Sequence, residues 1–339
     1  DNNDSRIFYT KNTKGCRLML FLNQKTVTAS IVLTDVMDTI EKALIASEKP
    51  EDFVLPLRTN VVDEDGNILM LMPCLAEHAW GLKILTIFSG NPAQGKPYID
   101  GMVILYDPKT GEPRTLMDGK IVTALRTGAI GGVGIRQLSK PDTHSLGLFG
   151  AGVQGYWQVR YACAARDIKD VWIHDAFPDK LSLFIDRLKE ALPAVHFHIA
   201  KDPKQLLENC EAVMTSTTSL TPVLPDDPGL LKGHCFVGIG SFRPDMREYP
   251  DGLFKVVDEV YVDTDHALDE TGDLLTPIER GLLKKESVQT IGSRLVAKKT
   301  EIPETAFYKA VGGALFDLYT ADLIYKEARK KGLGTELEL

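Results

Sequence analysis

The run Ser145-Leu146-Gly147-Leu148-Phe149-Gly150-Ala151-Gly152-Val153-Gln154-Gly155 constrains this chain more than any other stretch. It reads as a buried strand, a glycine-rich turn at G-x-G-x-x-G spacing, and the start of a helix. Each glycine has its own physical task. Gly150 permits the tight turn, Gly152 removes the side chain where a pyrophosphate would approach the backbone, and Gly155 lets the helix pack against the strand. The helix beginning at Val153 and Gln154 offers free N–H groups and a partial positive charge to phosphates. The glycine spacing alone is a weak signal, and its surroundings strengthen it. A second strand-like run, Asp170 to His174, follows the helix and leads to Asp175, where a dinucleotide site needs a carboxylate for the adenosine ribose hydroxyls.

Strand-like runs at 145–150, 170–175, 196–200, 212–217, 235–240 and 259–263 alternate with helical patterns that include 153–166 and 179–192. This rhythm predicts an α/β unit with a Rossmann-type, doubly wound parallel sheet. Ser216, Thr217 and Gly240 then fall at strand ends, where such a sheet meets its nucleotide. The preceding region reads as α+β. It has a helix near 34–48 opened by Thr34-Asp35, strands at 54–62, 67–72, 82–88 and 101–106, and turns at Asp65-Gly66 and Thr110-Gly111. A helix over 119–138 carries Thr123, Arg126 and Thr127. Beyond 300, the pattern from Ala306 to Lys330 predicts one amphipathic helix that returns to the N-terminal region.

The net charge of −8 argues against non-specific binding to nucleic acid or anionic membranes. No apolar run reaches the length of a membrane span, and residues 1–15 lack the apolar core of a signal peptide. Cys16, Cys74, Cys163, Cys210 and Cys235 are scattered without C-x-x-C spacing, which suits reduced thiols in a cytoplasmic protein. No metal site is expected. His196 and His198 lack a third ligand, and the acidic run Asp263, Asp265, Asp269, Glu270, Asp273 reads as a solvated loop.

Three basic residues lie in apolar settings: Arg58, Lys83 and Arg126. A cation within an apolar run needs an anion to offset its desolvation. Two arrangements fit. The three could converge on one substrate carboxylate, or each could reach solvent separately.

Gly81-Leu82-Lys83, Asp107-Pro108-Lys109-Thr110-Gly111-Glu112-Pro113, Thr123-Ala124-Leu125-Arg126-Thr127-Gly128-Ala129, the Gly150–Gln154 loop and Gly238-Ile239-Gly240-Ser241-Phe242-Arg243-Pro244-Asp245-Met246-Arg247-Glu248 occur in one order. Together they resemble the ornithine cyclodeaminase/mu-crystallin family, from about Leu18 to Gly332. The polar residues 1–17 read as a disordered leader. The resemblance implies a substrate-binding and dimerisation domain over 18–142 with 305–339. It implies a Rossmann dinucleotide domain over 143–304, and a homodimer. It further implies that Arg58, Lys83 and Arg126 converge on a substrate carboxylate, with Arg126 and Thr127 also near the cofactor and Val311 and Gly312 near the substrate.

Within that family, cyclodeaminases carry a catalytic aspartate where this chain has Phe242, and an apolar ring takes no proton. Asp245, three residues on, is a weak substitute. The stretch instead resembles members that reduce cyclic imines, the Δ1-pyrroline-2-carboxylate reductases and the ketimine reductase activity of mu-crystallin. The expectation is an NAD(P)H-dependent reductase of a small cyclic imino acid, with Lys83 orienting the substrate. Three alternatives stay open: an ornithine cyclodeaminase, an alanine-type amino-acid dehydrogenase, and a mu-crystallin-like ligand-binding protein. Asp175 favours NAD(H), since a 2′-phosphate would meet its charge; His174 and Lys180 could soften that bias, so NADP(H) stays open. Tyr98 departs from the threonine that nucleotide-contacting members often place there.

Overall fold

The computed structural model describes residues 17–339, so the expected leader, apart from Arg17, lies outside the described residues, as does Cys16. Two eight-stranded sheets organise the chain. The first runs in the order Thr335–Glu338, Leu18–Leu22, Pro113–Asp118, Ile99–Tyr106, Trp80–Ile87, Ile68–Ala76, Phe53–Val54, and Thr59–Val62 also pairs with Ile68–Ala76. Its neighbours are antiparallel except Leu18–Leu22 beside Pro113–Asp118. Period-two alternation sets its faces. Met72, Lys83 and Val103 lie in register and are buried, whereas Leu69, Trp80 and Met102 on the opposite face are exposed. Helices Gly119–Leu138 and Ala314–Lys330 lie against the buried face, and Leu33–Ser47 packs onto both.

The second sheet is wholly parallel, in the order His196–Ile199, Asp170–His174, Ser145–Phe149, Ala212–Thr215, Cys235–Gly238, Ala306–Lys309, Glu259–Val262, Gln289–Thr290. Helices cover such a sheet on both faces, so its inner strands are buried end to end and read as apolar runs. The strand order reverses between Ser145–Phe149 and Ala212–Thr215. The carboxyl ends of that pair are the ordinary nucleotide position of an open α/β sheet.

Three expectations about elements need correction. The strand expected at 54–62 is instead two, Phe53–Val54 and Thr59–Val62, with Arg58 in the irregular stretch between them. The segment from Ala306 is not one helix. Ala306–Lys309 is a fully buried strand of the parallel sheet, and the helix begins at Ala314. A strand buried on both faces shows no alternation, and periodicity cannot separate it from a buried helix. The helix near 34–48 spans Leu33–Ser47 with Val32 at its N-cap, so Thr34-Asp35 lies inside its first turn and caps nothing. The 20-residue helix Gly119–Leu138 forms as expected, capped by Asp118, whose carboxylate accepts the amides of Lys120 and Ile121.

Candidate active site

Lys83 points from strand Trp80–Ile87 into the layer between sheet and helices. Two residues earlier on the same face, Gly81 has no side chain, and a Cβ there would stand 2.7 Å from Leu318 Cδ1. The helix Ala314–Lys330 can therefore lie close to the strand, and its first turn delivers Asp317. Lys83 Nζ donates to Asp317 Oδ2 at 2.5 Å, and Arg126 Nε donates to Asp317 Oδ1 at 3.0 Å. The exposures of Lys83, Arg126 and Asp317 are 3%, 8% and 2%, so the three charges must balance one another rather than reach water separately. Two cations and one anion leave the cluster with a net positive charge. Neither terminal nitrogen of Arg126 has a hydrogen-bond partner among the described residues, and Lys83 has one partner for three protons. Such a cluster is built to receive a further anion.

Burial lowers the Lys83 pKa to about 8, opposed by Asp317 and reinforced by Arg126 and Arg58. Burial works to raise Asp317, but Lys83 and Arg126 outweigh it and hold its carboxyl below the usual value. Arg58 stands outside the Asp317 cluster. Its Nη2 donates to both carboxylate oxygens of Glu270 at 3.0 Å, across a cleft of about 700 Å³ between the two sheets. Leu55, Leu57, Met72, Thr264 and Phe316 are among the residues lining this cleft.

Gly312 adopts φ +76°, and a Cβ there would fall 1.8 Å from Arg126 Nη1. The turn is secured by Asp263, whose Oδ2 accepts the amides of Val311 at 3.1 Å and Gly312 at 2.6 Å. Burial raises the Asp263 pKa to about 6, partly offset by these amides, the Thr264 amide and Arg126. Gly312 thus lies beside Arg126, with Val311 held by the same carboxylate.

The glycine loop has the three features that a pyrophosphate cradle needs. Gly150 sits at φ +97°, and a Cβ there would meet the Ser216 carbonyl oxygen at 2.7 Å. A Cβ at Gly155 would fall 2.1 Å from the Gly150 oxygen, whereas nothing lies within 4 Å of one at Gly152. Helix Val153–Ala165 starts from Gly152 with no side-chain cap and no acid in its first turn, leaving its N-terminal amides for an anion. Asp175 Oδ2 accepts the Ala151 amide and Oδ1 the Phe177 amide, both at 2.7 Å. Each oxygen keeps a lone pair for a ribose hydroxyl. His174 is engaged elsewhere, with Nδ1 3.3 Å from the Ala200 carbonyl and its ring edge-on to Phe149. These residues fit a dinucleotide.

Ser216 Oγ donates to the Gly150 carbonyl at 3.1 Å and ties the two strand ends together. Thr217 and Gly240 are held from beneath by Glu248. This buried carboxylate accepts the Thr217 amide and hydroxyl, the Thr215 hydroxyl, and the amides of Gly240 and Ser241. Lys309 Nζ lies 3.9 Å from Glu248 and 3.3 Å from Asp273, which supplies the cluster with positive charge. Thr127, on the Arg126 helix, accepts a hydrogen bond from Gln158 of helix Val153–Ala165 through its carbonyl.

The expected solvated acidic loop is corrected, because its members divide. Asp263 and Asp273 are buried in separate networks, Glu270 faces Arg58, and only Asp265 and Asp269 are exposed. Asp245 pairs with Arg243 on the surface, and Phe242 is partly exposed beside it. His198 Nε2 lies 2.7 Å from Asp170 and its ring stacks on Trp172. Among the described residues, no group of three or more His, Cys, Asp or Glu could hold a metal ion, and no helix is long and apolar enough to cross a membrane. Asp317, Glu270, Asp263 and Glu248 carry much of this site, yet none was singled out as a site residue from the sequence. A lone acid in Leu315-Phe316-Asp317-Leu318 was the available hint for the first.

Residues 18–332 match the profile of the ornithine cyclodeaminase/mu-crystallin family. The chain belongs to that family. A Δ1-pyrroline-2-carboxylate reductase of Bacillus cereus is 31% identical over 318 residues, covering 90% of this chain and 96% of that protein. The ketimine reductase mu-crystallin of Mus musculus is 28% identical over 284 residues, with 82% and 87% covered. Among solved structures, the Δ1-pyrroline-2-carboxylate reductase of Thermococcus litoralis, in complex with NADH and L-proline, superposes with a TM-score of 0.85 at 27% identity. It covers 94% of this chain and 99% of that one. Family membership agrees with the fold, a parallel Rossmann-type sheet joined to a second, mostly antiparallel one.

Proposed function

We propose that this family member is an NAD(H)-dependent reductase of a small cyclic imino acid of the Δ1-pyrroline-2-carboxylate or Δ1-piperideine-2-carboxylate type, forming the cyclic amino acid. The carrying observation is the buried Lys83–Asp317–Arg126 cluster, net positive and with spare donors, whose Arg126 lies on a helix that bonds through Thr127 to the helix opened by the glycine loop. When bound, the dinucleotide supplies the hydride that reduces the imine carbon. The chain's own residues do the rest. Arg126 and Arg58 hold the substrate carboxylate, and fixing the substrate in this way supplies much of the rate. Lys83, with its pKa near 8, orients the substrate and is a proton source for the imine nitrogen. Phe242 offers no proton acceptor for the deamination that a cyclodeaminase performs.

Asp175 supports NADH over NADPH, because a 2′-phosphate beside this carboxylate would meet like charge. The exposed sheet face with Leu69, Trp80 and Met102 supports pairing with a second copy of the chain, a large apolar surface being costly to leave in water. The test is to follow oxidation of NADH and of NADPH with each imine. Rapid oxidation, faster with NADH, is the expected result. No turnover of either imine by protein that binds NADH would overturn the reading.

A further inference from the structure

Each base of the proposed carboxylate clamp is approached by an acid from a distant part of the chain. Asp317 serves Lys83 and Arg126 in the interior. Glu270, at the end of the short helix Ala267–Glu270 that follows a strand of the parallel sheet, serves Arg58. Arg58 lies in the first sheet's region, between Phe53–Val54 and Thr59–Val62. The Arg58–Glu270 pair therefore spans the cleft from one sheet's layer to the other. Both Glu270 oxygens engage the single nitrogen Nη2 at 3.0 Å, and Arg58 Nε and Nη1 have no hydrogen-bond partner among the described residues. The Asp317 contact follows the same logic, taking Nε of Arg126 and leaving the terminal nitrogens unpaired.

We propose that Glu270 is a positioning residue. It holds Arg58 from one side so that the remaining donors face the cleft and meet the substrate carboxylate. An arginine side chain left free over the cleft samples many rotamers, and binding would then carry the cost of ordering it. Glu270 orders it beforehand. Three cations against two carboxylates also leave one positive charge across the clamp, which one substrate carboxylate neutralises. Because Glu270 and Arg58 belong to opposite walls, the same contact ties the clamp's geometry to the spacing of the two walls.

This inference rests on the imino-acid reductase reading, and wild-type turnover of Δ1-pyrroline-2-carboxylate decides that reading first. The inference itself is tested with Glu270→Gln, Arg58→Gln and the double variant. Glu270→Gln is expected to raise KM for the imine about five- to tenfold, leaving KM for NADH and the unfolding midpoint near wild type. The double variant should be no worse than Arg58→Gln alone, since Glu270 acts through Arg58. Titration of the NADH-loaded protein with pyrrole-2-carboxylate, a planar unreactive carboxylate, reads the same loss of affinity without turnover. An unchanged or lowered KM in Glu270→Gln would overturn the proposal, a lowered value meaning that Glu270 competes with substrate for Arg58. Additive effects in the double variant would overturn it as well.

Discussion

Lys83 combines deep burial with a pKa of about 8, and both follow from its place on a strand facing Asp317 and Arg126. Its ammonium is present below that pH and lost above it. If substrate binding and the proton step need the charged form, kcat/KM for the imine should be level below pH 8 and fall as the pH rises through it. A pH–rate profile checks this, and activity that rises through that range would exclude the role. Replacing Lys83 with Ala should lower turnover by about 10²- to 10⁴-fold, the range usual for a positioned acid or base. It should leave cofactor binding, measured by fluorescence titration, almost unchanged. At this scale the sequence revealed the bases but not their partners. Arg58, Lys83 and Arg126 stand out because a charge within an apolar run is conspicuous. Asp317 lies 234 residues from Lys83 and Glu270 lies 212 from Arg58, and an acid's significance at such a separation exists only once the chain has folded.

At the level of elements, the turn between strand Ala306–Lys309 and helix Ala314–Lys330 sets the position of two site groups at once. Its backbone is fixed by Asp263, its Gly312 lies against the Arg126 guanidinium, and its helix carries Asp317 four residues beyond Gly313. A methyl group at Gly312 would be strained by the positive φ and would push Arg126 aside. Gly312→Ala should therefore raise KM for the imine by about tenfold or more, because small displacements in a reactive complex are costly. KM for NADH should change little, and steady-state kinetics with each substrate varied separates the two. The strand–helix rhythm after residue 145 was legible because parallel strands are short apolar blocks between amphipathic helices. The strand Ala306–Lys309 escaped notice because it sits far along the chain yet enters the middle of the sheet, and full burial erased its period. The edge strand Thr335–Glu338 and its neighbour Leu18–Leu22 were missed as well, both being short and paired with each other from opposite ends of the sequence.

Across the whole molecule, the first sheet is covered on one face and open on the other. Leu69, Trp80 and Met102 lie on the open side, as does Ile84, which is in register with Leu71 and Met102. Light scattering on the wild-type protein should give a dimer mass, and Ile84→Glu or Met102→Glu should shift it towards the monomer while retaining helical content; a wild-type monomer would remove the pairing. The strand Ala306–Lys309 has a different bearing on the molecule as a whole. It hydrogen-bonds to both Cys235–Gly238 and Glu259–Val262, and a few residues later the same chain forms the helix that backs the other sheet. A fragment ending at residue 304 would leave those two strands with an empty lane between them, and a fragment of the first sheet alone would lack its supporting helix or carry an orphan strand. The two layers are therefore poor building blocks for exchange between relatives. Chimeras joined at the visible seam should aggregate, and grafts that keep residues 306–330 with both layers offer the workable route to altered cofactor or substrate choice.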